Sequence, residues 1–328
     1  MNAFVLAGDR GAGGPNPGEN KAFLPLEGRP LFLYVLTALD RVREVERIYL
    51  IGPRRELMRA LEAALPDMLF GKRIEVLEQR GSLLENLLYA YSYSLPGYRE
   101  GADMRLSPHA DTPGLFLPSD IPLVTAAEIE EFLTNADMKE HDYCMGITAE
   151  ERLTPFYPQG DKPGIKMPYL YLKERAYRMN NLHLARPFKI GAGGSVQTMY
   201  DYRHQKYVGN RFRIAREFFR TERWTRALSL YLLAQGAVFS SEIGWTALAA
   251  FFRRYLPLNR VEREVSSFIK APFKAVETTI GGAAVDVDDE ETYRTISLRF
   301  NEWRGALARF DRKEIVSGEC PLKTEACG

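Results

Sequence analysis

A glycine-rich segment close to the amino terminus is the first candidate for chemistry. It spans residues 6–14, reads LAGDRGAGG and follows a short apolar run. Backbone N–H groups without neighbouring side chains can approach phosphate oxygens closely, and Arg10 and Lys21 would add positive charge. The segment matches neither common phosphate loop, because Asn16 replaces the third glycine of GxGxxG and Lys21 lies outside any Gly-Lys-Ser/Thr sequence. A flexible surface loop is the alternative interpretation.

Aspartates in two further segments are candidates for binding a divalent cation. Asp120 follows the apolar run Gly114–Pro118, and Asp286 and Asp288 lie in GGAAVDVDDEETY. The apolar residues of Ala283–Val287 predict a strand, and in a strand the side chains of Asp286 and Asp288 point to the same face. Carboxylate oxygens suit Mg²⁺, which usually takes one or two of them together with phosphates and water. Turn or helix-capping roles are the alternatives for each aspartate.

The composition is that of a folded protein with balanced charge. The chain has 328 residues, of which 45% are hydrophobic and 27% charged, so wholesale disorder is excluded. A net charge of +1 gives no reason to expect nucleic acid as a partner. The three cysteines, Cys144, Cys320 and Cys327, predict neither a disulfide framework nor a zinc site. The first residues enter a predicted strand without a basic region or cleavage site, so we expect a cytoplasmic protein.

Strands and helices alternate through the first half of the sequence. Apolar runs predict strands at residues 3–8, 47–52, 73–78, 114–118 and 142–148. Helical spacing predicts helices between them at residues 30–39, 53–65, 82–95 and 125–135. This order predicts an α/β fold with a Rossmann-like, mostly parallel mixed sheet that is covered by helices on both faces. Ligands of such sheets bind beyond the carboxyl ends of the strands.

The second half of the sequence is organised differently. A loop is predicted at residues 153–164, short strands at 169–172 and 183–187, and a helical block at 196–270. A last helix follows the predicted strand 283–287 and runs from Asp289, a candidate helix cap, to about Leu307. We therefore expect an α/β core, a C-terminal mostly helical insertion, a return to the core and a flexible tail, over residues 1–195, 196–275, 276–310 and 311–328 respectively.

The segment Ala227–Phe252 has the length of a membrane span and contains a single charged residue, Glu242. Gly236, Ser240, Ser241 and Gly244 interrupt it, which favours two buried helices joined by a short turn. Contact with a membrane surface is the alternative. Flanking arginines are typical of solvated helix faces, although a subset could hold a phosphorylated acceptor or anionic head groups. These arginines are Arg211, Arg213, Arg216, Arg220, Arg223, Arg226, Arg253, Arg254, Arg260 and Arg263.

Taken together, these segments resemble the sequence signature of the nucleotidyltransferases. LAGDRGAG…ENKAFLPLEGRPLFLYVL is similar to LAGGxGxR…KxLxxxxGxPLxxxxL, FLPSDIPLV to the metal-aspartate motif GDxPL, and AVDVDDEETY to the closing DxDTPEDY-like motif. The segment Glu78–Ser82, with Asn86, resembles the one that contacts base and ribose. The resemblance covers residues 1–150 and resumes over 281–300. The groups it resembles most are molybdenum-cofactor guanylyltransferase-like and sugar-phosphate nucleotidyltransferases.

The resemblance implies a GT-A-type fold and a Mg²⁺-dependent transfer of NMP from an NTP to a phosphorylated acceptor, with release of pyrophosphate. It assigns catalytic roles to Arg10, Lys21 and Asp120, with Lys21 neutralising charge on the α-phosphate. It also implies that Asp120, together with Asp286 or Asp288, holds the Mg²⁺ ion. The residues expected to bind the triphosphate or select the base are Leu6, Ala7, Gly8, Gly11, Gln79, Gly81 and Ser82.

Four residues depart from the family pattern, and two other functions stay open. Asp9 and Ser119 stand where glycine is usual, and Asp289-Glu290 replaces Thr-Pro. A carboxylate beside a triphosphate is repulsive unless it turns away or contacts the metal. Asp9 therefore makes a non-catalytic nucleotide-binding sensor plausible. A GT-A-type glycosyltransferase that uses a nucleotide sugar is the other alternative, although it would favour a DxD sequence around Asp120.

The expected partners are an NTP and a phosphorylated small-molecule or lipid-linked acceptor, with no nucleic acid. Weak contact with a membrane surface and a homodimer are further expectations. Candidate contacts for the acceptor are Tyr171, Asn180, Asn181 and Arg186, although the favoured interpretation for most of them is that of polar surface residues.

Overall fold

The computed structural model describes residues 1–8, 20–64, 66, 68–190 and 224–317. Within these residues the strands are β1 (Asn2–Leu6), β2 (Pro25–Leu26), β3 (Arg29–Pro30), β4 (Arg47–Gly52), β5 (Arg73–Glu78), β6 (Gly114–Pro118), β7 (Tyr143–Ala149), β8 (Leu170–Tyr171), β9 (Ala176–Ala185) and β10 (Phe273–Thr278). The α-helices of the same residues are α1 (Leu31–Arg41), α2 (Arg54–Ala64), α3 (Leu83–Ser94), α4 (Ala126–Asn135), α5 (Glu150–Leu153), α6 (Trp224–Glu242), α7 (Thr246–Arg254), α8 (Leu258–Ile269) and α9 (Glu290–Ser317).

The central feature is a mixed, mostly parallel sheet of eight strands. Seven of them lie in the order β10-β7-β9-β6-β1-β4-β5, and β8 pairs with β9. The pairs β1–β4, β1–β6, β4–β5 and β7–β10 are parallel, whereas β9 runs antiparallel to β6, β7 and β8. The carboxyl ends of β1, β4, β6, β7 and β10 and the amino end of β9 therefore meet at one edge. We call this the carboxyl edge of the sheet.

Apolar side chains cover both faces of the sheet because successive residues of a strand alternate between them. Ala3 and Val5 of β1 belong to the core cluster that contains α1 and α4 residues, whereas Phe4 packs on the other face with Tyr91 of α3. Phe4 also stacks between the rings of Tyr49 and Phe116, with centroids 5.4 and 4.7 Å away. The predicted Rossmann-like α/β fold with helices on both faces is therefore confirmed.

Most elements of the first half occur where the sequence predicts them. β5 and β6 have the predicted bounds, and α3 and α4 begin directly after Ser82 and Thr125. The hydroxyl oxygens of these two residues accept hydrogen bonds from the N–H groups of Glu85 and Glu128, both at 3.2 Å. Such side-chain caps satisfy N–H groups that have no partner inside the helix, which fixes where each helix begins.

Of the strand predictions in the second half, one has the wrong bounds and another is wrong. The predicted strand 183–187 is the end of the ten-residue strand β9, and Ala283–Val287 is not a strand. Gly282–Ala284 form a 3₁₀ turn instead, and the strand of this region is β10, which precedes it. Ala284, Val285 and Val287 pack in a core cluster with Trp303 of α9. Their apolar character therefore reflects burial against a helix rather than pairing in a sheet.

The segment predicted as two buried helices contains two helices, but they are not fully buried. Residues 243–245 join α6 to α7, and no described helix is both long and apolar enough to cross a membrane. The large apolar side chains that are exposed on these two helices and next to them are Leu232, Phe239, Ile243, Trp245, Leu248, Phe251 and Tyr255.

The ends of two predicted segments lie beyond the part of the chain that the structure covers. Residues 196–223 of the predicted helical block are outside the described residues, whereas α6, α7 and α8 bear out its helical character over 224–269. The last helix, α9, continues to Ser317, past the predicted end at about Leu307. Residues 318–328, with Cys320 and Cys327, are outside the described residues as well.

Candidate functional site

Lys21 is held at the carboxyl edge by the residue before it. The Asn20 side chain accepts a hydrogen bond from the Ala22 N–H and donates one to the Ala7 carbonyl oxygen, both at 2.9 Å. These bonds attach the 3₁₀ turn Lys21–Phe23 to the end of β1. Lys21 is buried, and its Nζ lies 4.0 Å from Oδ2 of Asp120. A buried ammonium with one carboxylate partner is a preorganised positive charge at this edge.

Asp120 follows β6 and connects the two halves of the site. Its carbonyl oxygen accepts a hydrogen bond from the Val287 N–H at 2.9 Å, which brings the segment with Asp286 and Asp288 next to β6. Burial raises the pKa of the Asp120 carboxyl to about 7, and the negative charges of Asp286 and Asp288 act in the same direction. The ammonium of Lys21 opposes this shift. The structure thus brings together Lys21, Asp120, Asp286 and Asp288.

Asp286 and Asp288 do not share a strand face, contrary to the expectation from sequence. Asp286 is buried, whereas Asp288 is exposed, because the chain between them is not a strand. Arg178 of β9 binds Asp286, with Nη2 donating to Oδ1 at 2.7 Å, and its Nε donates to the Ala284 carbonyl oxygen at 2.8 Å. Arg178 therefore fixes both the carboxylate and the backbone two residues before it. Sequence reasoning missed Arg178, and no local pattern marks it.

Asp289 caps the helix that follows, as the sequence indicates. Its Oδ1 accepts a hydrogen bond from the Thr292 N–H at 3.0 Å. The backbone N–H of Asp288 donates to the Thr292 hydroxyl at 3.1 Å. The cap therefore fixes the chain directly after Asp286, so that both ends of this short segment are held.

Glu128 is a second positioning residue that sequence reasoning missed. Its carboxylate is fully buried and accepts hydrogen bonds from the N–H groups of Gly281 and Ala283, at 3.0 and 2.8 Å, and from the Thr278 hydroxyl at 3.2 Å. Burial raises the pKa of Glu128 to about 7, while these hydrogen bonds lower it. The only signal in the sequence is the Thr125-x-x-Glu128 capping pattern, which predicts a residue that caps α4 rather than one that holds a distant loop.

The segment expected to select the base lies beside the glycine-rich loop. A Cβ atom on Gly8 would lie 3.1 Å from Oε1 of Gln79 and 3.6 Å from Nδ2 of Asn86. The Asn86 side chain also accepts a hydrogen bond from the Arg80 N–H. Because Gly8 has no side chain, the side chains of Gln79 and Asn86 can lie close to its backbone. Ser82 is the cap of α3, so it has a structural role whatever else it binds.

The other predicted site residues divide into two groups. Leu6 and Ala7 end β1 at the carboxyl edge and Gly81 precedes the cap of α3, so all three lie near the site. Arg10 and Gly11 lie outside the described residues.

Three of the four predicted acceptor contacts are structural instead. The side-chain amide of Asn180 donates to the hydroxyls of Thr148 and Thr278, and that of Asn181 donates to the Ala283 carbonyl oxygen. Arg186 is beyond the last residue of β9, at the opposite edge of the sheet, where its guanidinium binds backbone oxygens and the Asp142 carboxylate. Sequence reasoning placed these residues near the acceptor because it did not resolve the length and direction of β9.

Fold and site together define a class of protein. A mostly parallel sheet with a buried lysine and carboxylates from two distant segments at its carboxyl edge is an arrangement suited to a nucleotide-dependent transferase. The sequence model of the family described as "MobA-like NTP transferase domain" matches residues 3–187 of this chain. This range is more than half of the 328 residues, and the chain belongs to this family of nucleotidyltransferases. The family resemblance and the enzyme class expected from the sequence are confirmed.

One solved structure shows the same fold at low sequence identity, and two others are similar more distantly. A protein described as a hypothetical transferase from Thermus thermophilus has a TM-score of 0.54 and 22% identity, over 89% of this chain and 98% of its own. A CMP:2-keto-3-deoxy-manno-octonic acid synthetase complexed with CTP has a TM-score of 0.45 and 13% identity, over 92% and 98%. A 4-diphosphocytidyl-2C-methyl-D-erythritol synthase from Anaerococcus prevotii has a TM-score of 0.44 and 10% identity, over 92% of this chain and 95% of its own. The first supports the fold, and the other two are too distant to support more. A search of curated protein sequences gives no significant match.

Proposed function

We propose that the protein transfers the NMP group of an NTP to a phosphorylated acceptor in a Mg²⁺-dependent reaction that releases pyrophosphate. An oxygen of the acceptor phosphate attacks the α-phosphorus, and the bond from that phosphorus to the oxygen bridging to the β-phosphate breaks. The observation that supports this most is the meeting of Lys21, Asp120 and Asp286 at the carboxyl edge of the sheet. Such a reaction needs in-line positioning and charge neutralisation rather than covalent catalysis.

Lys21 is the residue that we assign to the charge of the α-phosphate. Because it is buried and held by its neighbours, its ammonium group does not have to reorganise when charge develops. The acceptor phosphate is already anionic near neutral pH, so no general base is required. This agrees with the sequence, in which none of the four histidines lies in a nucleotidyltransferase motif.

The carboxylates at this edge fit a magnesium ion. Among the described residues, no three acidic, histidine or cysteine side chains form a metal-binding group. Mg²⁺ nevertheless needs only one or two carboxylates when nucleotide phosphates and water complete its shell. Asp120 and Asp286 are close enough for the charge of one to raise the pKa of the other, and a divalent cation would relieve that repulsion. When bound, Mg²⁺ would neutralise phosphate charge, with Asp120 and Asp286, or Asp288, holding it.

Nucleotide selection is assigned to the residues around Gly8. Gln79 and Asn86 lie against Gly8, and Gly81 and Ser82 follow on the same segment, so a nucleotide base bound here would contact several amide groups. Leu6, Ala7, Arg10 and Gly11 stay predicted triphosphate contacts.

The proposal is tested by measuring pyrophosphate release with each of the four common NTPs and a panel of phosphorylated acceptors. We expect release with one NTP, and Lys21→Ala or Asp120→Ala should each lower turnover by about 100-fold or more. Lys139→Ala and Asp161→Ala remove the same charges from exposed positions and serve as matched controls. Full activity in Lys21→Ala or Asp120→Ala would contradict the site.

The same assay separates the two alternatives. A glycosyltransferase would release a nucleotide from a nucleotide sugar but no pyrophosphate from an NTP. A nucleotide-binding sensor would bind an NTP without turnover. The family assignment favours the transferase over the sensor.

The acceptor, membrane contact and homodimer stay predictions. The exposed apolar side chains of the α6–α7 hairpin, among them Phe239, Trp245 and Phe251, are the surface feature relevant to the last two. Sedimentation with anionic lipid vesicles tests a lipid-linked acceptor and membrane contact, whereas the molar mass in solution tests the homodimer. Substitution of Trp245 and Phe251 by glutamine should reduce whichever association occurs.

A further inference from the structure

A cavity of about 440 Å³ lies between the β8–β9 hairpin and the turn that joins α6 to α7. Among the described residues that line it, three are basic, namely Lys173, Arg253 and Arg254, and none is acidic. Tyr171, Ser241 and Thr246 bring hydroxyl groups to its lining, whereas the hydroxyl of the buried Ser240 donates to the Gly236 carbonyl oxygen. None of the residues of the proposed nucleotide site lines this cavity. It is therefore a separate concave surface with positive charge and several hydrogen-bonding groups.

The positive charge of the cavity is not neutralised by the described part of the protein. Lys173, Arg253 and Arg254 form no ion pair with a carboxylate among the side chains that the structure describes, which do not include the side chain of Glu242. Arg253 is held in place, because its Nε donates a hydrogen bond of 2.7 Å to the Leu172 carbonyl oxygen. Three cations on a concave wall attract an anion more strongly than the same charges on a flat surface.

The first turn of α7 borders the same wall, where the Thr246 N–H donates to the Gly244 carbonyl oxygen at 3.0 Å. Gly244 and Thr246, on either side of the residue at which α7 is capped, line the cavity. That residue, Trp245, makes no side-chain hydrogen bond to the first turn of the nine-residue helix. The amino-terminal N–H groups of α7 are thus not capped by a side chain, and they carry partial positive charge. The helix end supplements the three basic side chains.

We propose that this cavity binds the phosphate group of a small molecule, at a site distinct from the nucleotide site. Arginine and lysine side chains bind phosphate through charge-assisted hydrogen bonds, and guanidinium groups match two phosphate oxygens at once. The volume is in the range of small-molecule sites and exceeds what a single phosphate needs. The phenol ring of Tyr171 supplies a wall for an attached sugar or polyol.

The cavity lies on the same side of the molecule as the nucleotide site. β8 pairs with the first residues of β9, so Tyr171 is at the carboxyl edge. The rings of Tyr171 and Tyr169 are 6.4 Å apart, and the charge of Arg178 acts on Tyr169. Arg178 in turn binds Asp286. A ligand in the cavity would therefore be connected to the nucleotide site through three neighbouring side chains. The proposal itself does not depend on the proposed function.

Isothermal titration with inorganic phosphate tests the proposal on the full chain. Lys173→Gln/Arg254→Gln removes two exposed cations and leaves Arg253, which holds Leu172, in place. We expect this double variant to bind phosphate at least about tenfold more weakly than the wild type does. The matched control Arg59→Gln/Lys139→Gln makes the same charge change at exposed positions elsewhere and should bind as the wild type does.

Three results decide the outcome. Equal phosphate affinity in the wild type and in Lys173→Gln/Arg254→Gln overturns the proposal, and so does phosphate binding that is lost only in Lys21→Ala. A crystal grown with tungstate gives a second readout that no folding defect can confuse. Tungstate density between Lys173 and Arg254 supports the proposal, and a tungstate site confined to the nucleotide loop contradicts it.

A second titration distinguishes the two sources of the phosphate group. If glucose 1-phosphate binds more tightly than inorganic phosphate, and loses affinity in the same double variant, the cavity takes a phosphorylated small molecule. If both bind equally, the cavity takes the phosphate ion itself. Either result supports a phosphate site, and binding of glucose 1-phosphate that ignores the double variant contradicts it.

Discussion

Substitution of Arg178 by glutamine should destabilise the fold and detach Asp286 from its position. Arg178 and Asp286 have side chains that are only 13% and 7% exposed, and their closest atoms are 2.7 Å apart. The substitution removes the cation and the donor to the Ala284 carbonyl oxygen. It leaves the buried carboxylate of Asp286 without its cation, next to Asp120, whose pKa the negative charge of Asp286 already raises. The loss therefore concerns both the stability of the fold and the geometry of the site.

The expected magnitude follows from the burial of the pair. Removing one partner of a buried ion pair costs about 3–5 kcal/mol, and a lost hydrogen bond to a buried carbonyl adds about 1 kcal/mol. Water entering the site and relaxation of Asp286 reduce the total, so we expect Arg178→Gln to lower the free energy of unfolding by about 3 kcal/mol. If the pair is the cause, Arg178→Gln/Asp286→Asn should be less destabilised than the sum of the single variants by about 1–3 kcal/mol.

Urea unfolding followed by far-UV circular dichroism measures these free energies. Arg175 provides a matched control, because it pairs with Glu277 at 3.2 Å but the two side chains are 50% and 36% exposed. Arg175→Gln should therefore change the free energy of unfolding by about 1 kcal/mol at most. If Arg178→Gln is no more destabilised than Arg175→Gln, or if the double variant is additive, the buried pair does not hold this segment and the reasoning is refuted.

Three further predictions concern single residues of the site. The folded-state pKa of Asp120, about 7, lies above its ordinary value, so wild-type stability should fall as pH rises from about 4 to about 7, and Glu128, whose pKa is also raised to about 7, contributes to the same fall. Asp120→Asn should therefore reduce this fall without abolishing it and be about 1–2 kcal/mol more stable at pH 8 in urea with EDTA, and an unchanged pH profile would contradict the burial of this charge. A Cβ on Gly282 would lie 2.1 Å from the Leu123 carbonyl oxygen, so Gly282→Ala should lower the free energy of unfolding by about 3 kcal/mol, whereas Gly305→Ala, whose Cβ meets nothing, should not. Ser82→Ala should cost about 1 kcal/mol through loss of the α3 cap and Ser82→Gly only a few tenths; a rise in the KM for NTP that persists in Ser82→Gly would support a role in nucleotide binding, and an unchanged KM in both would assign Ser82 to the cap alone.

Local signals predicted the first half of the fold well. Apolar runs of five or six residues bounded by charged residues and turns gave β4, β5 and β6, and caps gave the starts of α3 and α4. These signals lie within a few residues of each other in the sequence. The same holds for Asp120, which closely follows β6, whereas Lys21 lies in the 3₁₀ turn Lys21–Phe23, which the sequence did not predict.

What the sequence did not predict depends on distant contacts. Arg178 and Asp286 are 108 residues apart, and Glu128 holds a loop more than 150 residues away. The segment Ala283–Val287 looks like a strand because burial against Trp303 requires the same apolar residues as a sheet does. Burial can be read from residue types, whereas the identity of the partner that causes it cannot. For that reason the carboxylates were predictable as a group but the residues that position them were not.

Binding of Mn²⁺, followed by electron paramagnetic resonance in the presence of a non-hydrolysable NTP, tests the central claim most directly. The account predicts that Asp120→Asn weakens formation of the protein–Mn²⁺–NTP complex by about tenfold or more, and that Asp286→Asn or Asp288→Asn does the same, although these residues come from distant segments. Asp142→Asn, which removes a carboxylate paired with Arg186 at the opposite edge of the sheet, should have no effect. Wild-type Mn²⁺ binding in Asp120→Asn, or in both Asp286→Asn and Asp288→Asn, would contradict a shared metal and nucleotide site.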